Sequence, residues 1–234
     1  MDFEDKLDCK IPVDYESLSD EEIISRYREQ LREKHPNWTR LKVLAEARYW
    51  FNKGLLRNKE HIENIEEHYW KEYNQQFGVL SLTIDLTSFE MWEKYASNHA
   101  GFCVGFDPRM MLKDKTKVGA FGLVEYFKKL PTIHPFEDSI QRAFKQIYYK
   151  EDKWKFEKEY RVHKLHPKKI SSTQRLFSVP EEAVIEIVFG ACMKEEHKLE
   201  IIEIAKVSCK NAKFKQASVN FNEKEVRIED YLSI

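Results

Sequence analysis

The hydrophobic period changes near residue 78, and that change constrains the fold more than any other feature of the sequence. Before it, apolar residues recur at helical spacing among many charges. Ser19-Asp20-Glu21-Glu22 reads as a capping box, and Ile23, Ile24, Tyr27 and Leu31 follow on one helical stripe. His35-Pro36-Asn37 ends that helix. A second is expected from about Trp38 to Phe51, stopped by Asn52-Lys53-Gly54, and a third, more polar, from about Lys59 to Tyr73. These helices carry too much charge to form a core alone, so they should pack as a layer on something else.

After Gly78 short β-rich runs alternate with helical ones. Strands are expected at Val79–Thr83, Gly101–Phe106, Val118–Phe127, Glu157–Leu165, Leu176–Val179, Val184–Phe189, Lys213–Val219 and Glu225–Ile228. Helices are expected from Thr87 to Ala96, Pro135 to Tyr149 and Lys194 to Val207. The interleaving lacks a regular βαβ rhythm. The fold class is therefore α+β: a twisted, mainly antiparallel sheet with an N-terminal helical region packed beside it. The expected organisation is a single domain over 1–234, helical in 1–77 and mixed α+β in 78–234.

Composition narrows the function. The 39 Lys+Arg against 40 Asp+Glu give no global charge for holding nucleic acid or an anionic membrane. No apolar run approaches the roughly 20 residues of a membrane span, so no membrane partner is expected. The acidic start, Met1-Asp2-Phe3-Glu4-Asp5, lacks the apolar segment of a signal peptide. Cys9, Cys103, Cys192 and Cys209 are scattered, which fits reduced thiols in the cytoplasm and no metal site. Phosphate-loop, dinucleotide, zincin and nucleophile-elbow motifs are absent, and seven glycines are few for phosphate-cradling loops.

Two stretches carry candidate chemistry. In Trp154-Lys155-Phe156-Glu157-Lys158-Glu159-Tyr160-Arg161, a regular strand puts Glu157, Glu159 and Arg161 on one face, with neighbours roughly 6.5–7 Å apart. Paired carboxylates in a cleft serve proton transfer; on an exposed face they are a solvated charge row. In Met91–Asp107, Trp92 either stacks a flat ring or docks a helix on the sheet, and Tyr95 is read as core. His99 sits near the helix end, where the dipole favours it. Ser81 and Thr83 share a strand face and can line a pocket. His163 and His166 fall on opposite faces, which argues against a metal pair. Lys164, Lys168, Lys169 and Arg175 form a basic segment able to attract nucleic acid, or a solvated loop.

Three segments together resemble a bacterial family, domain of unknown function 2971. They are Met-Trp-x-x-Tyr-Ala-x-x-His-x-Gly-x-Cys-x-Gly-Phe-Asp at Met91–Asp107, Trp-x-x-Glu-x-Glu-Tyr-Arg at Trp154–Arg161, and Val184–Gly190. Phe3-Glu4-Asp5-Lys6-Leu7-Asp8-Cys9 resembles the family's Phe-Asn-Asp-Pro-Phe-Asp-Cys, with Glu4 for Asn and Lys6 for Pro. In relatives a strand-rich stretch precedes that segment. The resemblance implies either that translation starts upstream or that the first strands are lacking here, which would leave a sheet edge open.

The family pattern is similar to that of ADP-ribosyltransferase-like folds, and that likeness implies an NAD-consuming enzyme. NAD would be the substrate and an unidentified protein or nucleic acid the acceptor, as in a toxin or phage-defence effector. Glu159 would hold the ribose and stabilise an oxocarbenium-like transition state, and Glu157 would polarise the acceptor nucleophile. Ser81 or Thr83 would be the middle element, with Trp92, Tyr95 and Arg161 lining the NAD site. Glu159→Gln would then abolish activity with little loss of stability. The alternative is a non-catalytic binding or regulatory module using the Ser19–Tyr73 helices as its partner surface. A metal-dependent nuclease is less favoured, because only one convincing acidic strand is present.

Overall fold

A computed structural model describes residues 8–114, 118–176 and 179–231. The helices are α1 (Asp20–Lys34), α2 (Arg40–Asn52), α3 (Lys59–Gln76), α4 (Phe89–Tyr95), α5 (Pro108–Met111), α6 (Ser139–Tyr148) and α7 (Glu195–Ser208). The strands begin with β1 (Phe77–Thr83), β2 (Phe102–Phe106), β3 (Ala120–Leu123), β4 (Glu125–Phe127) and β5 (Tyr149–Glu151). They continue with β6 (Glu159–Leu165), β7 (Val184–Phe189), β8 (Lys213–Asn220) and β9 (Glu225–Asp230). The fold is α+β and rich in antiparallel pairing. Two compact units are present, Met1–Gln76 with Phe127–Lys150, and Phe77–Tyr126 with Glu151–Ile234.

The first unit is helical. Helix α1 starts at the expected capping box. The Ser19 hydroxyl accepts from the Glu22 amide, and the Glu22 carboxylate accepts from the Ser19 amide at 2.8 Å. Thr39 caps α2 through the Lys42 amide. The segment before α1 is tied down by a buried glutamine. Gln146 accepts from the Ile11 amide at 2.6 Å and donates to its carbonyl at 3.0 Å. Arg142 grips Glu66, which also accepts from the Tyr15 hydroxyl at 3.0 Å. Burial and the Glu66 carboxylate push the Tyr15 phenol up to about 12.

The second unit holds two larger sheets where one was expected. The first is β1-β6-β3, antiparallel throughout; the second is β2-β7-β8-β9. In the second sheet β7 and β8 are parallel, and α7 connects them. Alternation along β7 assigns one helix to each face of this sheet. Phe89, Trp92 and Ala96 of the α4 region cluster with Val188, Ala217 and Val226. Ile202 and Ala205 of α7 cluster with Ile187, Phe189 and Ala212. The apolar face of the first sheet, Leu80, Leu82 and Val162, packs with Met111, Val118 and Ala183.

The Val118–Phe127 run is broken into β3 and β4 at Val124, whose amide donates to the Glu159 carbonyl. The expected strand at Leu176–Val179 includes residues 177–178, outside the described residues. The Phe3–Leu7 part of the N-terminal motif lies outside them too.

Candidate active site at the start of strand β6

Strand β6 begins at Glu159, not at Glu157. Residues Asp152–Glu157 form a 3₁₀ turn, and Lys158 follows in the left-handed region at φ 41°, ψ 55°. Glu157 and Glu159 therefore do not share a strand face. They flank a sharp corner, and the left-handed residue costs backbone energy unless its surroundings hold it. Those surroundings are present. The Lys158 ammonium reaches Asp85 at 2.7 Å, and the Lys158 carbonyl accepts from the Ile84 amide at 3.1 Å. The Thr83 hydroxyl donates to the Glu157 carbonyl at 2.7 Å and accepts from the Asp85 amide at 3.0 Å. Ser88 donates to the Phe156 carbonyl at 3.1 Å. Burial pulls the Asp85 carboxyl up, but hydrogen bonds from Lys158 and Thr87, with the Lys158 charge, hold it below its ordinary value.

The two carboxylates are treated differently. Glu159 is gripped at both oxygens by Arg161, Nε and Nη2 each at 2.8 Å. The pair is almost sealed, with side-chain exposures of 1% for Arg161 and 7% for Glu159. The Glu159 amide donates to the Tyr126 hydroxyl at 2.9 Å. Glu157 accepts from the Tyr95 hydroxyl at 2.5 Å. Tyr95, read as core from the sequence, is 60% exposed, whereas Glu157 is 5% exposed, so an exposed phenol covers a buried carboxylate. Across β1, Thr83 stands opposite Glu159 and Ser81 opposite Arg161. Thr83 is committed to bracing the corner, whereas Ser81 is exposed.

Trp92 takes the core alternative. It is 3% exposed, and its indole N–H donates to the Leu86 carbonyl at 2.8 Å. Much of Met91–Asp107 is likewise a docking device. Ser97, Asn98 and His99 are successively left-handed, at φ 50°, 52° and 64°. His99 is 1% exposed, between the rings of Phe89 and Phe221. Its carbonyl accepts from the Cys192 amide at 2.8 Å, and a Cβ on Gly190 would sit 2.2 Å from that oxygen. Only glycine fits there. Asp107 caps α5 through the Arg109 amide at 2.9 Å.

The sequence reading found Glu157, Glu159, Arg161 and Tyr95 but missed Tyr126 and Asp85. Asp85 lies two residues past the end of β1, and an acidic residue there was a usable signal. Nothing local marks Tyr126, whose contact depends on β3 and β6 pairing across a long separation. Among the described residues no group of three or more His, Cys, Asp or Glu is arranged to hold a metal ion. No helix among them is long and apolar enough to cross a membrane.

Compared with curated proteins and with solved structures, the chain has no match. Residues 91–162, less than half of the chain but including Tyr95, Glu157, Glu159 and Arg161, match the family described as Protein of unknown function (DUF2971).

Proposed function

We propose that the chain is an NAD-consuming ADP-ribosyltransferase-like enzyme whose acceptor is a protein or a nucleic acid. The observation that carries this reading is the carboxylate pair on either side of left-handed Lys158. Glu157 lies beneath the hydroxyl of exposed Tyr95, and Glu159 occupies the first position of β6. On this reading the glycosidic bond to nicotinamide breaks with its electron pair leaving on nicotinamide. The Glu159 carboxylate, oriented by Arg161, stabilises the positive charge that develops on the ribose. Glu157 takes the proton of the acceptor nucleophile as the new bond forms. The exposed Tyr95 ring offers an apolar face to the nicotinamide, and Ser81 a hydroxyl on the adjoining strand.

A second reading is favoured by one feature of the same site. Both Glu159 oxygens are engaged by a buried guanidinium, as in an internal structural pair. The chain is then a binding or regulatory module without turnover. Transfer of label from NAD labelled in its adenylate half, with cell extract as acceptor, separates the two. The expected result is acid-stable labelling by the wild type that falls at least ~100-fold in Glu157→Gln, in the range typical of a lost general base. Glutamine retains an acceptor for Tyr95. Equal labelling by the folded variant overturns the catalytic assignment, and no labelling by either supports the module.

A further inference from the structure

The opposite end of β6 carries a second feature. Where β1 and β6 pair through Gly78 and Lys164, a cleft of about 490 Å³ opens. His163, Lys164, His166 and Arg175 supply its charged and polar walls, and Val79 and Leu176 its apolar ones. Among the described residues lining it none is acidic. The wall is built. The Arg175 guanidinium donates to the Phe77 carbonyl, and the turn before it is closed by Gln174, which accepts from the Ser171 amide at 2.9 Å. The His163 ring lies against Phe77 with centroids 5.5 Å apart.

The sequence around the cleft has the same bias. Residues 160–180 contain Arg161, Lys164, Lys168, Lys169 and Arg175, two histidines and no Asp or Glu, in a chain whose charges nearly balance overall. Lys168 and Lys169 are exposed and follow His166 after Pro167. A single small anion needs two or three donors at one point. Here the cations continue past the cleft along the chain, which suits a ligand with repeating negative charge. A recess of this volume admits a nucleotide or two of one strand, whereas the surface of a duplex is too broad to enter it.

We propose that this cleft, with the Lys168–Lys169 shoulder beside it, binds the phosphodiester backbone of a single-stranded nucleic acid. Lys164, Lys168, Lys169 and Arg175 meet the phosphates, and a base rests on Val79 and Leu176. The proposal stands apart from NAD turnover, because binding is measured without any reaction.

The test is fluorescence anisotropy of labelled single strands of about 12 nucleotides, RNA and DNA, titrated with the full chain at several salt concentrations. The expected result is binding of either strand that weakens with salt, with a log–log slope of about −0.7 per phosphate contacted. The double variant Lys168→Glu/Lys169→Glu and, separately, Lys164→Ala should each weaken it, the double variant by ~10-fold or more. Thermal melting confirms that the exposed Lys168/Lys169 double variant and the half-buried Lys164 variant remain folded. No binding at low salt, unchanged affinity in the folded variants, tighter binding of a duplex of equal length, or displacement by inorganic phosphate at matched phosphate concentration would each overturn the proposal.

Discussion

Arg161, at 1% exposure, is the largest fully buried side chain among the described residues, and it is a cation. Its enclosure corrects the expectation that Glu159→Gln is structurally mild. Removing one charge of a buried pair leaves the other uncompensated, and such changes cost roughly 3–5 kcal/mol. Glu159→Gln should therefore lower the urea midpoint of the second unit markedly. Replacing both residues, as in Glu159→Gln/Arg161→Met, should cost less than the sum of the single changes. Additive losses would show that the two side chains act independently.

His99 makes a second prediction at the residue scale. Burial lowers its pKa, opposed by the nearby Glu93 charge, and neither ring nitrogen has a hydrogen-bond partner among the described residues. Its folded-state pKa lies below the unfolded value of about 6.5, so the unfolded chain binds the proton more readily. The His99 contribution should be constant above about pH 7 and lower stability as pH drops below about 6.5, until the folded-state pKa is passed. His163, lowered by burial, adds to the same trend. His99→Asn tolerates the left-handed backbone and does not titrate, so its denaturation midpoints should show a flatter pH profile. An unchanged profile would remove His99 from this role.

At the scale of elements, legibility in the sequence followed the range of the determining contacts. Helix α1 was readable because its start signal is local, Ser19 and Glu22 three residues apart. Ser19→Ala should lower stability by about 1 kcal/mol, read from the urea midpoint of the helical unit. The Glu-x-Glu segment was misread as strand because its corner is made by a lysine. Left-handed backbone at a non-glycine residue leaves no compositional mark, and the side chains of Asp85, Thr83 and Ser88, distant in sequence, help to hold it in place. Gly190 is the reverse case. It was visible as a motif residue, but its reason, the His99 carbonyl at its α-carbon, depends on β2 pairing with β7. Gly190→Ala forces that contact apart and should destabilise by roughly 1–3 kcal/mol. A neutral Gly190→Ala would mean that the His99 turn yields without cost.

At the scale of the molecule, α+β was readable from the shift in period near residue 78 and the irregular interleaving after it. The division of strands into separate sheets was not. It depends on β7 pairing in parallel with β8 across α7, and on β6 lying between β1 and β3. Pairing across such separations is fixed by packing, which no local window contains. The same geometry puts a carboxylate corner at one end of β6 and a basic cleft at the other. The activity proposed for the corner is tested most directly by nicotinamide release from NAD by the purified full chain with cell extract supplied as acceptor, above an extract-only blank and beside Glu157→Gln at equal folded fraction. The expected result is release by the wild type that is lost in the variant. Release that persists in Glu157→Gln, or no release by the well-folded wild type, would contradict it.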